Sequence, residues 1–202
     1  MFVAIEGGDA VGKNTLTTKI FEWVLVQGNR AKRYTCPNYE GPIGRVILDR
    51  LLTHRALSEP LELQCMMMAD RYATAAKIDR DLLTSAFVVV DRWWQSAYVY
   101  GHATGIEKSL LMDMHEHLPQ AQINILLDLP WEQATTRRPY KRDSYEKNEE
   151  LMKKVRQGYL DLWTQNKDRT PDKWVVIDAS QSPDEVFAQA IKHIEARKLT
   201  LK

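Results

Sequence analysis

The sequence predicts an α/β fold in which helices cover both faces of a parallel sheet of five strands. Short apolar runs rich in Val, Ile and Leu alternate with longer stretches that show helical periodicity. Continuous apolar runs are typical of strands that are buried on both faces, as in a parallel sheet. The first run leads through a glycine-rich loop into a helical stretch, which is the context that a phosphate-binding loop requires.

Each element follows from one of these two patterns. Apolar runs predict the strands Phe2–Ile5, Ala31–Thr35, Phe87–Val90, Ile123–Leu127 and Trp174–Ile177, of which the second is the weakest. Helical periodicity predicts the helices Thr15–Gln27, Ile43–Leu52, Leu61–Leu83, Trp93–Gly101, Lys108–His117, Glu149–Thr164 and Pro183–Ala196. Gly28 is placed to end the first helix, and Ser58 and Pro60 to begin the third. No repeat or linker interrupts the pattern, so we expect 1–202 to form one domain.

Composition excludes some classes of partner. Lys and Arg number 28 against 27 for Asp and Glu, a net charge of +1, which gives no reason to expect nucleic-acid or membrane binding. No apolar run approaches the length of a transmembrane helix, and the first strand leaves no room for a signal peptide. Cys36 and Cys65 lack metal-ligand spacing, so we expect reduced thiols in a cytoplasmic protein.

The loop after the first strand contains the complete pattern G-x-x-x-x-G-K. Glycines let consecutive backbone N–H groups turn toward a phosphate, and the following helix N-terminus adds partial positive charge. Lys13 is expected to bridge the outer phosphates of a nucleotide. Asn14 stands where Ser or Thr usually offers a hydroxyl to Mg²⁺, although its amide oxygen can still meet a hard cation. The candidate nucleotide ligands are Gly7, Gly8, Asp9, Ala10, Val11, Gly12, Lys13, Asn14 and Thr15.

The third strand ends in an acid and a base, Asp91 and Arg92. Ligands of open parallel sheets bind at the carboxyl ends of the strands. Asp91 is therefore placed to orient Mg²⁺ through water, and Arg92 to clamp a phosphate with its planar guanidinium. An ordinary ion pair at a strand end is the simpler alternative, and the neighbouring phosphate-binding loop argues against it.

The third predicted helix carries an unusual arginine. Met67 and Arg71 lie one turn apart on the same face. An unpaired buried arginine is costly, so Arg71 is expected to serve a ligand. Met66 and Met68 are expected to fill the core, as methionines commonly do.

A charge-dense stretch at 135–147 holds five basic residues, interrupted by Pro139. A solvated helix face is the usual explanation of such a run. With the phosphate-binding loop present, we favour a mobile lid that closes over a polyphosphate, supplies cations and excludes water. The basic residues are Arg137, Arg138, Lys141, Arg142 and Lys147.

Together these residues resemble the thymidylate kinase family, P-loop enzymes that phosphorylate dTMP with ATP. The resemblance extends from Phe2 to about Ile194. Its segments are Ile5-Glu6-Gly7-Gly8-Asp9 with Gly12-Lys13, Pro37 with Tyr39, Arg71, Asp91-Arg92 with Ser96 and Tyr100, Asp143-Ser144-Tyr145-Glu146, and Val176-Ile177-Asp178-Ala179-Ser180. The resemblance implies the three-layer P-loop kinase fold with a lid at about 135–147, ATP as co-substrate with Mg²⁺, and a homodimer.

The resemblance also implies roles for individual residues. Arg92 would hold the monophosphate, Tyr100 would pack under the deoxyribose, and Arg71 would contact the base. Substrate contacts are expected at Asp9, Pro37, Tyr39, Met67, Arg71, Arg92, Ser96, Tyr100 and Tyr145, and an ATP contact at Ala179. Catalysis is assigned to Lys13, Asp9, Arg92, Arg142, Arg137 and Arg138, and Mg²⁺ to Asp9, Asp91 and Glu146, partly through water. Ala10 leaves the loop without an arginine, so the lid is expected to supply the cation at the transferred group.

Three departures from the family pattern keep other substrates open. Met67 stands where an aromatic often stacks on thymine, Ala97 lacks an amide that could reach the base, and Gly101 replaces a frequent Gln. They favour, as the alternative, a kinase for another deoxynucleoside monophosphate such as dUMP or a modified pyrimidine. Asn14 motivates a more distant alternative, a non-catalytic nucleotide-binding protein. A nucleoside kinase fits less well, because the lid and the Pro37–Tyr39 loop suit a monophosphate acceptor.

Overall fold

Five apolar segments form a parallel sheet, and the computed structural model describes residues 1–53, 55–84, 86–137, 143–167, 170 and 173–200. The strands are β1 (Phe2–Gly7), β2 (Ala31–Thr35), β3 (Phe87–Asp91), β4 (Ile123–Asp128) and β5 (Trp174–Asp178). They lie in the order β2-β3-β1-β4-β5, and every pair is parallel. All five strands fall where the sequence predicts them.

The central strands are buried and the edge strand β2 is not. All six residues of β1 are buried, whereas no residue of β2 is fully buried. Only one side of β2 has a strand beside it. Its weak apolar signal therefore follows from its place at the edge of the sheet, where three of its five residues are exposed.

Helices account for most of the remaining described residues. They are α1 (Lys13–Val26), α2 (Pro42–Leu52), α3 (Arg55–Ser58), α4 (Pro60–Leu83), α5 (Trp94–Ala103), α6 (Lys108–His115), α7 (Trp131–Arg137), α8 (Glu149–Lys167) and α9 (Pro183–Thr200). One group, α1 with α9, and a second, α4 with α5 and α8, pack against the sheet. Since the central strands are buried on both faces, the predicted α/β fold with helices on both faces is confirmed.

Several details differ from the prediction. The short helices α3 and α7 were missed because they contain too few residues for a helical period to show. Ser58 does not cap α4: Glu59 holds the N-cap position, and the Ser58 hydroxyl donates to the Arg55 carbonyl oxygen at 3.1 Å. Gly28 ends α1 as expected, with a φ of 76° and its N–H on the Leu25 carbonyl oxygen at 2.9 Å.

The methionine prediction is confirmed in part, since Met66 packs against the core although it is not fully buried. Met67 is the buried member of its trio, while Met66 and Met68 are half-buried. The reason is helical geometry, since Met67 shares the inward face of α4 with Leu63 and Arg71. No helix among the described residues is long and apolar enough to cross a membrane.

Candidate functional site

The glycine-rich loop has the backbone path that its pattern predicts. Gly7 has a φ of 140°, and a β-carbon there would lie 2.5 Å from the Leu127 carbonyl oxygen of β4. Gly12 has a φ of 100°, and Ala10 adopts a φ of 61° between them. Glycine reaches these values without steric cost, so both ends of the loop depend on it. The loop delivers the N-terminus of α1 to the cleft, whose wall includes Gly12 and Asn14.

Lys13 is buried and folded back on its own loop. Its Nζ donates to the Gly8 carbonyl oxygen, and only 7% of the residue is exposed. Burial, and then the positive charge of Arg92, lower the pKa of Lys13 to about 8. Asp91, Asp9 and Glu6 oppose this lowering only in part, and a phosphate beside Nζ would add the counter-charge that favours the protonated lysine.

Arg92 follows β3 with a φ of 67°, an unusual value for a residue with a side chain. Its Nη2 pairs with the Asp9 carboxylate and donates to the Tyr100 hydroxyl at 3.2 Å. Its Nη1 donates to the carbonyl oxygen of Gly7 at 3.1 Å. The same nitrogen lies within hydrogen-bond distance of the hydroxyls of Ser96 and Tyr159, at 3.2 Å and 3.4 Å. Burial disfavours the charge, but the Asp9 carboxylate and the neighbouring tyrosines and Asp91 together outweigh burial and hold the pKa of Arg92 above its ordinary value.

Asp9 links the loop to Arg92. One of its carboxylate oxygens accepts from Arg92 and the other accepts from the Tyr100 hydroxyl at 2.7 Å. Burial alone would raise the pKa of Asp9, but the charges of Arg92 and Lys13 hold it below its ordinary value. Asp9 is therefore ionised, and its carboxylate forms an ion pair with Arg92 in this structure.

An open cleft of about 740 Å³ and a smaller pocket of about 60 Å³ meet at these residues. Asp9 and Arg92 line both. The cleft is lined by Asp9, Ala10, Gly12, Lys13, Asn14, Thr15, Thr35, Cys36, Pro37, Tyr39, Leu48, Leu52, Asp91, Arg92, Asp143 and Glu146. The pocket is lined by Asp9, Pro37, Tyr39, Leu51, Met67, Arg71, Arg92, Ser96, Tyr100, Asp143 and Tyr145. The structure thus brings most predicted nucleotide and acceptor residues into one continuous site.

Arg71 sits at the wall of the pocket and is almost wholly buried, with 1% exposure. Its Nε donates to the Trp93 carbonyl oxygen at 3.0 Å and its Nη1 to the Met67 carbonyl oxygen at 3.2 Å. Among the described residues, no carboxylate lies within ion-pair distance of Arg71, and burial lowers its pKa. Because a buried charge without a counter-ion is costly, the pocket suits a polar ligand beside Arg71.

Aromatic and loop residues shape the rest of the pocket. The rings of Tyr100 and Tyr145 stack with centroids 5.8 Å apart and planes 21° apart. Across the pocket, the Cys36–Pro37 bond is cis, and the next N–H, of Asn38, donates to the Asp70 carboxylate at 3.0 Å. Asp70, which the sequence did not single out, therefore anchors the loop that carries Pro37 and Tyr39.

Three further carboxylates line the cleft, those of Asp91, Asp143 and Glu146. Asp143 accepts from the N–H groups of Tyr145 and Glu146, both at 2.9 Å, and burial raises its pKa to about 6. Asp91 and Glu146 face the same cleft as Lys13. Within the described residues, no three His, Cys, Asp or Glu side chains are arranged to hold a metal ion. Mg²⁺ in kinase sites takes one or two carboxylates, substrate phosphates and water, so Asp91 and Glu146 fit an ion that arrives with a nucleotide.

The predicted lid is described only in part. Arg138 and Arg142 lie outside the described residues. Arg137 ends α7, and its Nη2 donates to the Ala179 carbonyl oxygen at 2.6 Å. Neither Arg137 nor Ala179 is among the described residues that line the cleft. In this structure Arg137 therefore contacts the segment assigned to adenine and not the loop that holds Lys13.

Two buried polar residues complete the site and were missed in the sequence. Glu6 is 2% exposed at the end of β1, and Tyr159 is 3% exposed on α8. An acid after an apolar strand is a signal that could have singled out Glu6. Tyr159 offers no such signal, because a tyrosine at helical spacing from Val155 and Leu162 on an amphipathic helix is typical of a core position.

Comparison with known proteins identifies the family. A sequence model described as Thymidylate kinase matches residues 5–190. The chain belongs to the thymidylate kinase family. This confirms the resemblance that the motifs predicted.

Several thymidylate kinases are similar along almost their whole length. A probable thymidylate kinase of Methanosphaera stadtmanae is 30% identical over 202 residues, covering 96% of this chain and 100% of the relative. The thymidylate kinase of Chromohalobacter salexigens is 30% identical, covering 97% and 95%. The solved thymidylate kinase structure from Candida albicans superposes with a TM-score of 0.79 at 24% identity, covering 98% of this chain and 92% of that one. That superposition confirms the P-loop kinase fold.

Proposed function

We propose that this thymidylate kinase family member transfers the γ-phosphoryl group of ATP to the phosphate of dTMP, giving dTDP and ADP. One observation carries the proposal. The cleft beside the phosphate-binding loop and the pocket beside Arg71 meet at Asp9 and Arg92. A donor nucleotide and an acceptor monophosphate can therefore place their phosphates at a common point.

We assign the donor phosphates to the loop amides and Lys13. The N-terminus of α1 adds partial positive charge, as at other helix termini that bind phosphate. When phosphate enters, Lys13 exchanges the Gly8 carbonyl oxygen for a phosphate oxygen. Ala179 and Arg137 would lie toward the adenine of ATP, since they contact each other away from Lys13.

We assign the acceptor to the pocket. Arg92 would hold the monophosphate, because its planar guanidinium can donate two parallel hydrogen bonds to phosphate oxygens. Arg71 would meet a polar edge of the base. Met67, Pro37 and Tyr39 would pack around the base, and Ser96, Tyr100 and Tyr145 would border the sugar and phosphate.

Mg²⁺ would enter with ATP and be held by Asp91 and Glu146, largely through water. When bound, it supplies charge neutralisation at the transferring phosphate. Asp9 would join only if its contact with Arg92 loosened, since that pairing occupies its carboxylate here. Transfer is then a matter of positioning and electrostatics. We expect the lid's cations to come from Arg142 with Arg138, or with Arg137 once Arg137 releases the Ala179 carbonyl oxygen.

The test is ADP release from MgATP with dTMP, dUMP, dCMP, dGMP, dAMP and ribose TMP as acceptors. A clear preference for dTMP supports the proposal. A preference for another monophosphate would show that this monophosphate, and not dTMP, is the substrate. It would also point to Met67, Ala97 and Gly101 as the residues that change the choice of base. Nucleotide binding without turnover of any acceptor would favour the non-catalytic alternative instead.

We further infer that 1–202 forms one kinase domain and that the protein is a homodimer in the cytoplasm. The family resemblance supports the dimer. Exposed apolar side chains on α4 and α6, including Tyr72, Leu110 and Met112, offer it a surface. Light scattering coupled to size exclusion would give the mass, and a value near 23.4 kDa would reject the dimer.

A further inference from the structure

A carboxylate is buried directly beneath the acceptor site. Glu6 accepts hydrogen bonds from the Trp93 N–H at 2.6 Å, the Ser96 hydroxyl at 2.6 Å and the Tyr159 hydroxyl at 3.0 Å. No Lys or Arg side chain in the described part of the chain lies within ion-pair distance of Glu6. Because a buried carboxylate is costly unless it is fully hydrogen-bonded, these donors are held firmly in place.

The same hydroxyls face Arg92. The Ser96 and Tyr159 oxygens lie 2.7 Å apart, and the Nη1 of Arg92 donates to them at 3.2 Å and 3.4 Å. A hydroxyl has one proton and two lone pairs. If one hydroxyl directs its proton to Glu6 and the other directs its proton to that first hydroxyl or to Glu6, each oxygen keeps a lone pair that can accept from the guanidinium. Glu6 thereby orients acceptors toward Arg92 without touching it.

Tyr159 brings this contact from a distant part of the chain. It lies on α8, 153 residues after Glu6. Burial, together with the Glu6 carboxylate, holds the pKa of Tyr159 well above its usual value, so the hydroxyl keeps its proton. Tyr159 does not belong to the described lining of the pocket. Any effect of its hydroxyl on an acceptor must therefore pass through the residues that it touches.

We propose that Tyr159 is a positioning residue, which shares its hydroxyl with Glu6 and Ser96 and so holds the Arg92 guanidinium ready for the acceptor phosphate. The inference rests on the proposed function, in which Arg92 receives that phosphate. The Tyr159, Ser96 and Gly7 oxygens fix Nη1 from the protein side. The other edge of the guanidinium meets Asp9 and Tyr100, and the acceptor phosphate would take the place of these partners.

The test is Tyr159→Phe, which removes the hydroxyl and keeps the ring. Calorimetric titration of dTMP and of thymidine separates phosphate contacts from base and sugar contacts. We expect the dTMP affinity to fall about tenfold, as for the loss of a hydrogen bond to a charged group, with thymidine and ATP affinities within about twofold. Tyr98→Phe is the matched control, since Tyr98 is a buried tyrosine of α5 whose ring packs on Trp94.

Two further variants keep the inference falsifiable. Glu6→Gln turns one acceptor oxygen into a donor and should give the same selective loss, whether or not Tyr159→Phe folds. In an Arg92→Lys background, Tyr159→Phe should cost less than about twofold, because the guanidinium that it positions is gone. Equal losses for dTMP and thymidine, or full additivity with Arg92→Lys, would overturn the role of Tyr159.

ADP release by the wild type in the same samples separates this inference from the proposed function. Selective loss of dTMP affinity without wild-type turnover rejects the kinase and supports the role of Tyr159. Wild-type turnover together with equal losses of dTMP and thymidine affinity in Tyr159→Phe supports the kinase and rejects the role of Tyr159. A wild type that binds no dTMP overturns both.

Discussion

The two halves of the cleft are built in different ways. The donor half, Gly7–Thr15, is one contiguous loop and helix terminus that opens on a cleft of about 740 Å³. The acceptor half, the residues around Arg71 and Arg92, is assembled from distant side chains around a pocket of about 60 Å³. In the donor half Lys13 rests on a carbonyl oxygen of its own loop. In the acceptor half Arg92 already has partners on both sides of its guanidinium.

This difference separates two ways of preparing a site for phosphate. The donor half relies on backbone shape, and its cation must change partners when the ligand arrives. The acceptor half relies on buried hydrogen bonds that hold one edge of Arg92 in place, so only the edge that meets Asp9 and Tyr100 changes partners on binding. Substitutions in the two halves should therefore have separable effects on the two substrates.

The largest effect is expected in the donor half. Lys13→Met should lower kcat about a thousandfold, the magnitude of losing a cation at a transferring phosphate. Lys19→Met is the control, because Lys19 lies on the same helix but pairs with Asp184 at 2.8 Å on the exposed surface. Steady-state ADP release measures both variants, and a loss below about tenfold for Lys13→Met would contradict its place at the phosphates.

Arg92→Lys tests the acceptor half. The lysine keeps the charge but loses the planar donor pair, so kcat/KM for dTMP should fall about a hundredfold. The KM for ATP should stay within about threefold if the halves act separately. Arg50→Lys is the matched control, at a partly buried ion pair that joins α2 to Glu62 of α4. Equal changes in both KM values would show that the two halves are not separable.

The pH dependence sharpens the comparison. The pKa of Lys13 is lowered to about 8 in the free protein, and a bound phosphate favours the charged lysine. ATP affinity should therefore be full below pH 8 and fall up to about tenfold per pH unit above it, whereas dTMP affinity should show no such break. Titrations between pH 6.5 and 9.5 measure this. Lys13→Arg should remove the fall in ATP affinity above pH 8. If that fall persists in Lys13→Arg, another group causes it.

The smallest effect concerns base choice. Met67→Phe should raise the ratio of kcat/KM for dTMP over dUMP by about threefold, since an aromatic wall packs more selectively on a base than a flexible thioether does. Met66→Phe on the same helix, half-buried and outside the described pocket lining, is the control. If this ratio of kcat/KM values rises equally in both variants, Met67 does not determine the choice of base.

The sequence predicts the donor half of the cleft more completely than the acceptor half. The donor half is contiguous, so one motif predicted its residues and, through its flanking strand and helix, its place in the fold. Asp91 and Arg92 were predictable because they end a buried strand. Arg71 was predictable because an isolated arginine on an apolar helix face is costly.

The rest depends on contacts between distant segments. The pairing of Asp9 with Arg92 and the anchoring of Asn38 by Asp70 join residues far apart in the chain. Tyr159 reaches Glu6 only after α8 packs against the sheet. Short helices such as α7 carry too few residues for a period to show. Apart from Glu6, which follows an apolar run, the supporting residues of the acceptor half were therefore not accessible from patterns along the chain.

The most direct measurement of the central claim follows the γ-phosphate itself. ATP labelled in the γ-phosphoryl group is incubated with the protein, Mg²⁺ and either dTMP or thymidine, and the products are separated. Direct transfer between the two halves places the label in dTDP when dTMP is present, with little free phosphate in either reaction. Label released as inorganic phosphate at the same rate with and without dTMP would contradict transfer and leave only nucleotide hydrolysis.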